Sequence, residues 1–394
     1  MKMYTHPAVL IGGPPHSGKS VLLYALSQAL RKANVEHYAL RSCPDYEGDW
    51  SQEATPETVR SIRIKGGWTQ EWVDSICRDI RNRHLPLLVD VGGRPTADQE
   101  RIFDACTHAI LLTKDEASHA EWSERVARHG LPLIADLTSV QTGESATWGD
   151  APLTGVVAGL TRFQQSANPV VDVVTDLLIR LFASDTAGLR QQHLATAPVE
   201  LAVDLDRVAI TLGWAQPGAK VTWLPEHLPA LLDYLPAATP LAAYGRGTNW
   251  LHASLARWAY PEAYFSFDVR LGWAPAQPLP IGLPASPAPL GFRLSPEKGA
   301  LHVEGILPDS YIDITELADV VCPPFAAQGG VILSGKLPYW LYTSLAQTYA
   351  DAPWLAVFQP QLAGAVVIHG AGPLHVGDLL SLSLGAEKPP GNSG

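Results

Sequence analysis

Residues 244–258 read "YGRGTNWLHASLARW", and residues 334–348 read "SGKLPYWLYTSLAQT". Gly245, Trp250, Leu251, Ser254, Leu255 and Ala256 recur, at a constant spacing, as Gly335, Trp340, Leu341, Ser344, Leu345 and Ala346. Each stretch is a glycine turn that runs into a short amphipathic helix. The agreement continues beyond it. "RWAYPEAYFSFDVRLG" can be laid on "QTYADAPWLAVFQPQLAG" with a short gap in the first copy. Each copy then reads turn, helix, short turn, strand and polar strand end. A duplication of this kind joins in one chain what could otherwise be a homodimer, and a two-fold arrangement suits a ligand that is itself two-fold symmetric.

The surrounding composition is that of a globular protein. With 394 residues, 46% apolar and 17% charged, the chain is long enough for two or three domains of roughly 150 residues each. A formal charge of -11 argues against a broad nucleic-acid surface, duplex DNA included, and leaves room for a small anion in a locally basic pocket. Cys43, Cys77, Cys106 and Cys322 are far apart and form no C-x-x-C pair, which implies a reducing compartment, with the cytoplasm as the expected location. No apolar run reaches the roughly 18 residues of a membrane helix. The first residues run straight into a strand and read as part of the fold, not as a leader.

The first half alternates strand-like and helix-like segments: "AVLIGG", "KSVLLYALSQALRKA", "TQEWVDSICRDIRN", "LPLLVDV", "HAILLT", "LPLIADL" and "PVVDVVTDLLIRLF". That alternation predicts βα units on a parallel sheet. "ASDTAGLRQQHLATAP" reads as an interdomain linker. Six prolines in residues 275–289 form a stiff extended connector between the two copies of the doubled phrase. The expected units are therefore residues 1–190, 195–285 and 290–386, with a frayed tail at 387–394. The expected fold class is α/β throughout.

"GPPHSGKS", Gly13 to Ser20, matches G-x-x-x-x-G-K-[ST] between a strand and a helix, the context a phosphate loop requires. Gly13, His16, Ser17 and Gly18 shape the cradle, Lys19 reaches the β and γ phosphates of ATP, and Ser20 holds Mg2+. Asp90, at the end of "LPLLVDV", is the expected second magnesium carboxylate. Val91 follows it where motor-type AAA+ ATPases carry a water-activating glutamate, which points to slow hydrolysis, a nucleotide switch or a kinase. Asp45, Glu47 and Asp49 alternate in "CPDYEGDW", either as an exposed acidic loop or as help for a metal or phosphate acceptor. His108, His119 and His129 show no metal-ligand spacing.

The pattern "GRG-x-x-WLH-x-x-LA", followed by a strand and "D-x-RLG", resembles the CRISPR-associated ring nucleases of the Csx-three type. The second copy resembles them too, in "GVILSGKLPYWLYTSLAQTYADAPWLAVFQPQLAGAVVIH" and then "HVGDLLSLSL". The likeness covers roughly 195–386. It implies two tandem Rossmann-like (CARF-like) α/β domains that bind cyclic tetra-adenylate, the second messenger of type III CRISPR antiviral defence, and cut it with Mn2+ assistance. Larger members carry an N-terminal AAA-like P-loop domain, to which residues 1–190 correspond. Carried over by position, the catalytic aspartate and metal ligand is Asp268, with Arg270 beside it, and the second copy has Gln359 there. The functional histidine falls on Asp351 in the second copy and near Ala259 or Tyr260 in the first, so neither copy keeps the full pair. Gly245, Arg246 and Gly247, with Ser334, Gly335 and Lys336, fall at the turns suited to phosphate recognition. His252 is a substitute base or a core residue, and Trp250 and Trp340 are adenine platforms or core.

The expected protein is thus a cyclic-oligoadenylate phosphodiesterase that ends an antiviral signal, coupled to an ATP-binding domain and forming a homo-oligomer on its internal pseudo-dimer. The alternatives are a degenerate messenger sensor that controls the ATPase, and a P-loop kinase acting on a small molecule or nucleotide.

Overall fold

The computed structural model describes residues 6–43, 69–160, 168–182, 186–217, 219, 221–283, 288–297, 299–308, 312–326 and 329–382. The acidic stretch with Asp45, Glu47 and Asp49, and the tail at 387–394, lie outside the described residues. The architecture is mixed α/β, built on three sheets that contain parallel pairs.

The first sheet holds β1 (Ala8–Gly12), β2 (Tyr38–Ser42), β3 (Leu87–Val91), β4 (His108–Thr113), β5 (Leu133–Val140), β6 (Ala146–Trp148) and β7 (Leu153–Ala158). Their order is β2-β3-β1-β4-β5-β7-β6, and every neighbour pair is parallel except β6 with β7. Helices cover both faces, so successive residues of β1 enter different cores. Leu10 packs with Trp72, Phe103 and Trp122 on one side, while Val9 and Ile11 pack with Leu22, Leu26 and Val174 on the other. A strand buried on both faces must be continuously apolar, which is why "AVLI" carries no polar alternation.

The second sheet comprises β8 (Leu201–Asp204), β9 (Leu241–Tyr244), β10 (Tyr264–Asp268) and β11 (Gly272–Pro275), in the order β11-β10-β9-β8. The third comprises β12 (Gly291–Glu297), β13 (Ala300–Ile306), β14 (Gly330–Gly335), β15 (Leu355–Gln359), β16 (Gly364–His369) and β17 (Leu379–Ser381), in chain order. The doubled phrase lies at equal places in both. Leu241 pairs with Leu201 and Tyr264 in one sheet, as Val331 pairs with Leu301 and Leu355 in the other. Three parallel strands and an antiparallel fourth thus recur, and β12 and β17 extend the second copy alone.

The helices Asn249–Ala259 and Tyr339–Thr348 pack on each other. Their inward residues, with strand residues of both sheets, form one continuous core that includes Trp250, Leu251, Leu255, Trp340, Leu341 and Leu345. The small residues Ala256 and Ala346, both fully buried, allow the close crossing. Gln347 Nε2 bridges the seam by donating to the Ala256 and Glu262 carbonyls at 3.4 Å each. The helices start differently: Thr248 accepts from the Leu251 N–H, whereas Pro338 leaves its helix without a side-chain cap.

The segment expected to be a plain linker is not one. Thr186–Ala195 is a helix. Its Arg190 binds Asp204, Asp206 and Glu36 together, and its His193 ring stacks on Phe267 with centroids 4.4 Å apart. Helical spacing places these two side chains three residues apart on one face, where both reach the first copy. Composition alone conceals that contact because the segment is mostly polar.

Leu341 lies in the shared core and is fully buried. Leu341→Ala should cost about 2–5 kcal/mol, read by denaturant unfolding. Because the core is common, hydrogen exchange should speed up in residues 241–259 as well as in 330–348. Unchanged protection of the first copy would show that the two sheets are stabilised separately.

Candidate functional site

The loop after β1 is shaped by backbone conformations that side chains resist. Gly13 has φ +149°, and a Cβ there would lie 2.0 Å from the Leu112 carbonyl oxygen. Gly18, at φ +93°, starts the helix Lys19–Lys32, and His16 takes a left-handed φ of 60° at the exposed apex. Gly93, beyond β3, lets that strand's end approach Pro15, whose nitrogen would be 2.4 Å from an added Cβ.

The predicted residues converge here. Ser20 Oγ donates to Asp90 Oδ2 at 2.8 Å, and Lys19 Nζ donates to the Pro14 carbonyl at 2.8 Å. Ser17 Oγ is buried with no hydrogen-bond partner among the described residues. β3 pairs directly with β1, with Asp90 opposite Ile11, so the carboxylate meets the start of the helix. Burial lowers the Lys19 pKa, and the Asp90 carboxylate opposes that shift. A hydroxyl and a carboxylate side by side are hard oxygen donors that fit magnesium. Ser17 offers a further unused polar group to a phosphate. Sequence inspection did not single out Arg41. It stands opposite Asp90 in the β2–β3 register, 3.5 Å from Asp90 Oδ2 and 3.2 Å from Ser20 Oγ. Strand pairing supplies this neighbour, and no local motif signals it.

Asp268 and Arg270 are also together, in a different setting. Asp268 is 2% exposed and accepts from the Arg270 backbone N–H, Nε and Nη2 at 2.8, 3.1 and 3.0 Å. Burial by itself would raise the carboxyl. The Arg270 charge and its hydrogen bonds outweigh that and hold Asp268 below the usual carboxylate range. Arg270 also reaches Asp79 of the helix Gln70–Arg81 at 3.4 Å. The pair therefore lies at the contact between the first sheet's helices and the first copy, with Tyr339 of the second copy donating to the Phe267 carbonyl at 2.8 Å. A carboxylate holding three arginine donors has little coordination left for a metal, so Asp268 does not fit the expected Mn2+ ligand. Gln359 occupies the matching place at the end of β15, half-buried. Asp351 is exposed, and its charge acts on Arg257 of the first copy's helix. It lies in the turn before β15, away from the strand end where Gln359 sits.

The two glycine turns differ in occupation. Gly245 and Gly335 share a left-handed conformation, with φ of +112° and +121°. Arg246 is exposed and donates through Nη2 to the His37 carbonyl at 2.8 Å, just beyond the helix Lys19–Lys32. Gly247 lies against the His252 ring, 2.8 Å from where its Cβ would be. Ser334 Oγ contacts His302 Nε2 at 2.7 Å, and His302 Nδ1 contacts Ser295 Oγ at 3.1 Å. Lys336 Nζ is buried with no hydrogen-bond partner among the described residues, and burial lowers its pKa. His252 sits in the interior, 3.1 Å from the Tyr264 hydroxyl and stacked on Tyr339, with its pKa pushed down to about 4 by burial. Trp250 and Trp340 are 1% and 2% exposed. These three are core residues. His119 and His129 pair with acidic neighbours, Asp136 and Asp104. No helix among the described residues is long and apolar enough to cross a membrane.

Residues 306–380 match the family described as CRISPR-associated protein (Cas_csx3). The matched stretch starts at the last residue of β13 and ends in β17, and so contains Lys336, Asp351 and Gln359. An uncharacterized protein of Aquifex aeolicus (strain VF5) is 41% identical over 51 residues, which is 13% of this chain and 46% of that one. The match thus spans less than half of that relative. The likeness to the CRISPR-associated Csx3 family is carried by residues 306–380.

Asp79 carries a testable consequence of the Arg270 geometry. Arg270 is committed to Asp268, so burial dominates at Asp79 and pushes its carboxyl up to about 6, against Arg270 and with help from the Asp268 charge. A folded-state pKa above the unfolded value means that the stabilising proton is lost as pH rises from about 4 through about 6. Asp79→Asn removes that dependence. Its stability relative to the parent should therefore improve by roughly 2–3 kcal/mol between pH 4 and pH 7, measured by denaturant unfolding across that range. A constant difference would show that Asp79 stays ionised in the fold.

Proposed function

We propose that this chain is a CRISPR-associated messenger receptor. Its paired repeats bind cyclic oligoadenylate, with cyclic tetra-adenylate as the implied ring, and its N-terminal half binds MgATP. The carrying observation is Lys336. A buried ammonium without an acceptor is costly, and this one follows Gly335 in the turn where the family resemblance places a phosphate contact. An anionic ligand would relieve the cost. Arg246, the matching cation of the first copy, is already bonded to His37 next to the nucleotide helix. A ring phosphate that drew Arg246 away would alter a contact of the ATP-binding half, which is a direct route for coupling.

In the nucleotide site, Lys19 and the loop's N–H groups would bind the phosphates, while Ser20 and Asp90 would hold Mg2+. The metal would neutralise phosphate charge and orient the triphosphate. The repeats favour recognition over cleavage. In the first copy the catalytic position has its carboxylate bound up with Arg270, and in the second Gln359 cannot ionise. A ring nuclease is the second reading, favoured by one observation: Asp268 is held ionised, as a general base requires.

Labelled cyclic tetra-adenylate tests both readings. The parent should bind it, and Lys336→Ala should weaken binding about tenfold or more, because a charge-assisted phosphate contact contributes roughly 1.5–3 kcal/mol. Rising salt should weaken the parent's binding. Equal affinity of parent and variant across a salt series would remove Lys336 from the site. Single-turnover assays with Mn2+, with and without ATP, should show no ring cleavage. Cleavage that Asp268→Ala slows about a hundredfold or more would establish the nuclease instead.

A further inference from the structure

The parallel order β2-β3-β1 sets Arg41, Asp90 and Ile11 in register across three adjacent strands. Arg41 and Asp90 are direct cross-strand partners, so their side chains leave the sheet on the same side. The Arg41 guanidinium lies on the two oxygen groups that fit magnesium: it donates to Ser20 Oγ at 3.2 Å and stands 3.5 Å from Asp90 Oδ2. Its side chain is only 19% exposed and that of Asp90 3%. Among the described residues, Lys19 and Arg41 thus bring two basic side chains beside the Asp90 carboxylate.

We propose that Arg41 is the terminal-phosphate reader of this nucleotide site. Without nucleotide it rests on Ser20 and Asp90, in the place the divalent ion would take. With a metal-bound triphosphate in the loop, Ser20 and Asp90 would hold the metal, and Arg41 would turn its fork to the third phosphate. An arginine suits both positions, because its planar donors pair with a carboxylate or a phosphate and its charge is permanent. A diphosphate has no third phosphate to receive the displaced guanidinium. Arg41 therefore opposes the metal when ADP is bound and assists the triphosphate, and the site distinguishes the two nucleotides by affinity without any chemical step. The proposal rests on the nucleotide reading of the Gly13–Ser20 loop.

Calorimetric titration of the full chain with Mg·ADP and with a magnesium-bound, non-hydrolysable ATP analogue tests it. Arg41→Ala should weaken the triphosphate analogue by at least about tenfold while leaving ADP affinity equal or tighter. The Mg2+ concentration that half-saturates ADP binding should fall, since the competing cation is gone. Arg41→Gln repeats the test with most of the side chain retained, should the alanine variant lose its circular-dichroism signature. Equal loss of both nucleotides, no change in either, or an unmoved Mg2+ midpoint overturns the proposal while leaving the loop assignment intact. Lys19→Ala separates the two: it should abolish binding of both nucleotides. A folded Lys19→Ala chain that binds like the parent, or a parent that binds neither nucleotide, overturns the loop assignment and Arg41's role with it.

Discussion

The crossing of the helices Asn249–Ala259 and Tyr339–Thr348 is the contact on which the repeat half depends. Each helix is too short to be stable alone, and the two buried faces share a Trp, Leu, Ser, Leu and Ala in the same order. Packed together, they fill the space between two sheets and give both copies one core. Neither sheet could keep its inner face dry without the other's helix. The duplication is thus a condition of folding as well as a symmetry. The same crossing places Tyr339 of one copy against His252 and the Phe267 carbonyl of the other.

That shared unit is joined to the N-terminal half through charges. Arg190 gathers Glu36, Asp204 and Asp206, Arg270 links Asp268 to Asp79, and Arg78 pairs with Asp313. Arginine suits such junctions because one planar group serves several acceptors. The aromatic cluster of Tyr244, Phe267, Trp273 and His193 fills the space beside them. Burial holds the His193 pKa down to about 4, so the ring is uncharged at neutral pH and packs as an aromatic. The contact is built from first-copy strand ends, from Asp313 ahead of the second copy's doubled phrase, and from segments of the N-terminal half. The two similar copies thus make different contacts.

Much of this was legible beforehand. The strands "LLVDV" and "HAILLT" and the helix over 70–81 are visible from apolar spacing because spacing is a local property. The turn between β1 and the helix Lys19–Lys32 was visible because its glycines answer a local need, as the positive φ of Gly18 and the close approach at Gly13 show. The repeat was visible for a similar reason, since duplication preserves order along the chain. The linker helix was missed because its polar surface hides two long-range contacts. The Asp268–Arg270 neighbourhood was legible in the motif, but the contact with Asp79 was not, because a motif says nothing of what lies opposite.

By itself the sequence determined the alternation of elements, the glycine-shaped loop before Lys19 and the existence of two similar units, each fixed by steric and hydrophobic demands that act over a few residues. Tertiary structure alone decided which groups share a site. Arg41 meets Asp90 because β2 pairs with β3, at a separation along the chain that no spacing rule spans. Arg270 closes on Asp268 and Asp79 because a helix from the other half of the chain packs there. Lys336 Nζ, in the turn after β14, meets no hydrogen-bond partner among the described residues. Electrostatic partners are set by distance in space and by the exclusion of water, and both arise only when the chain has packed.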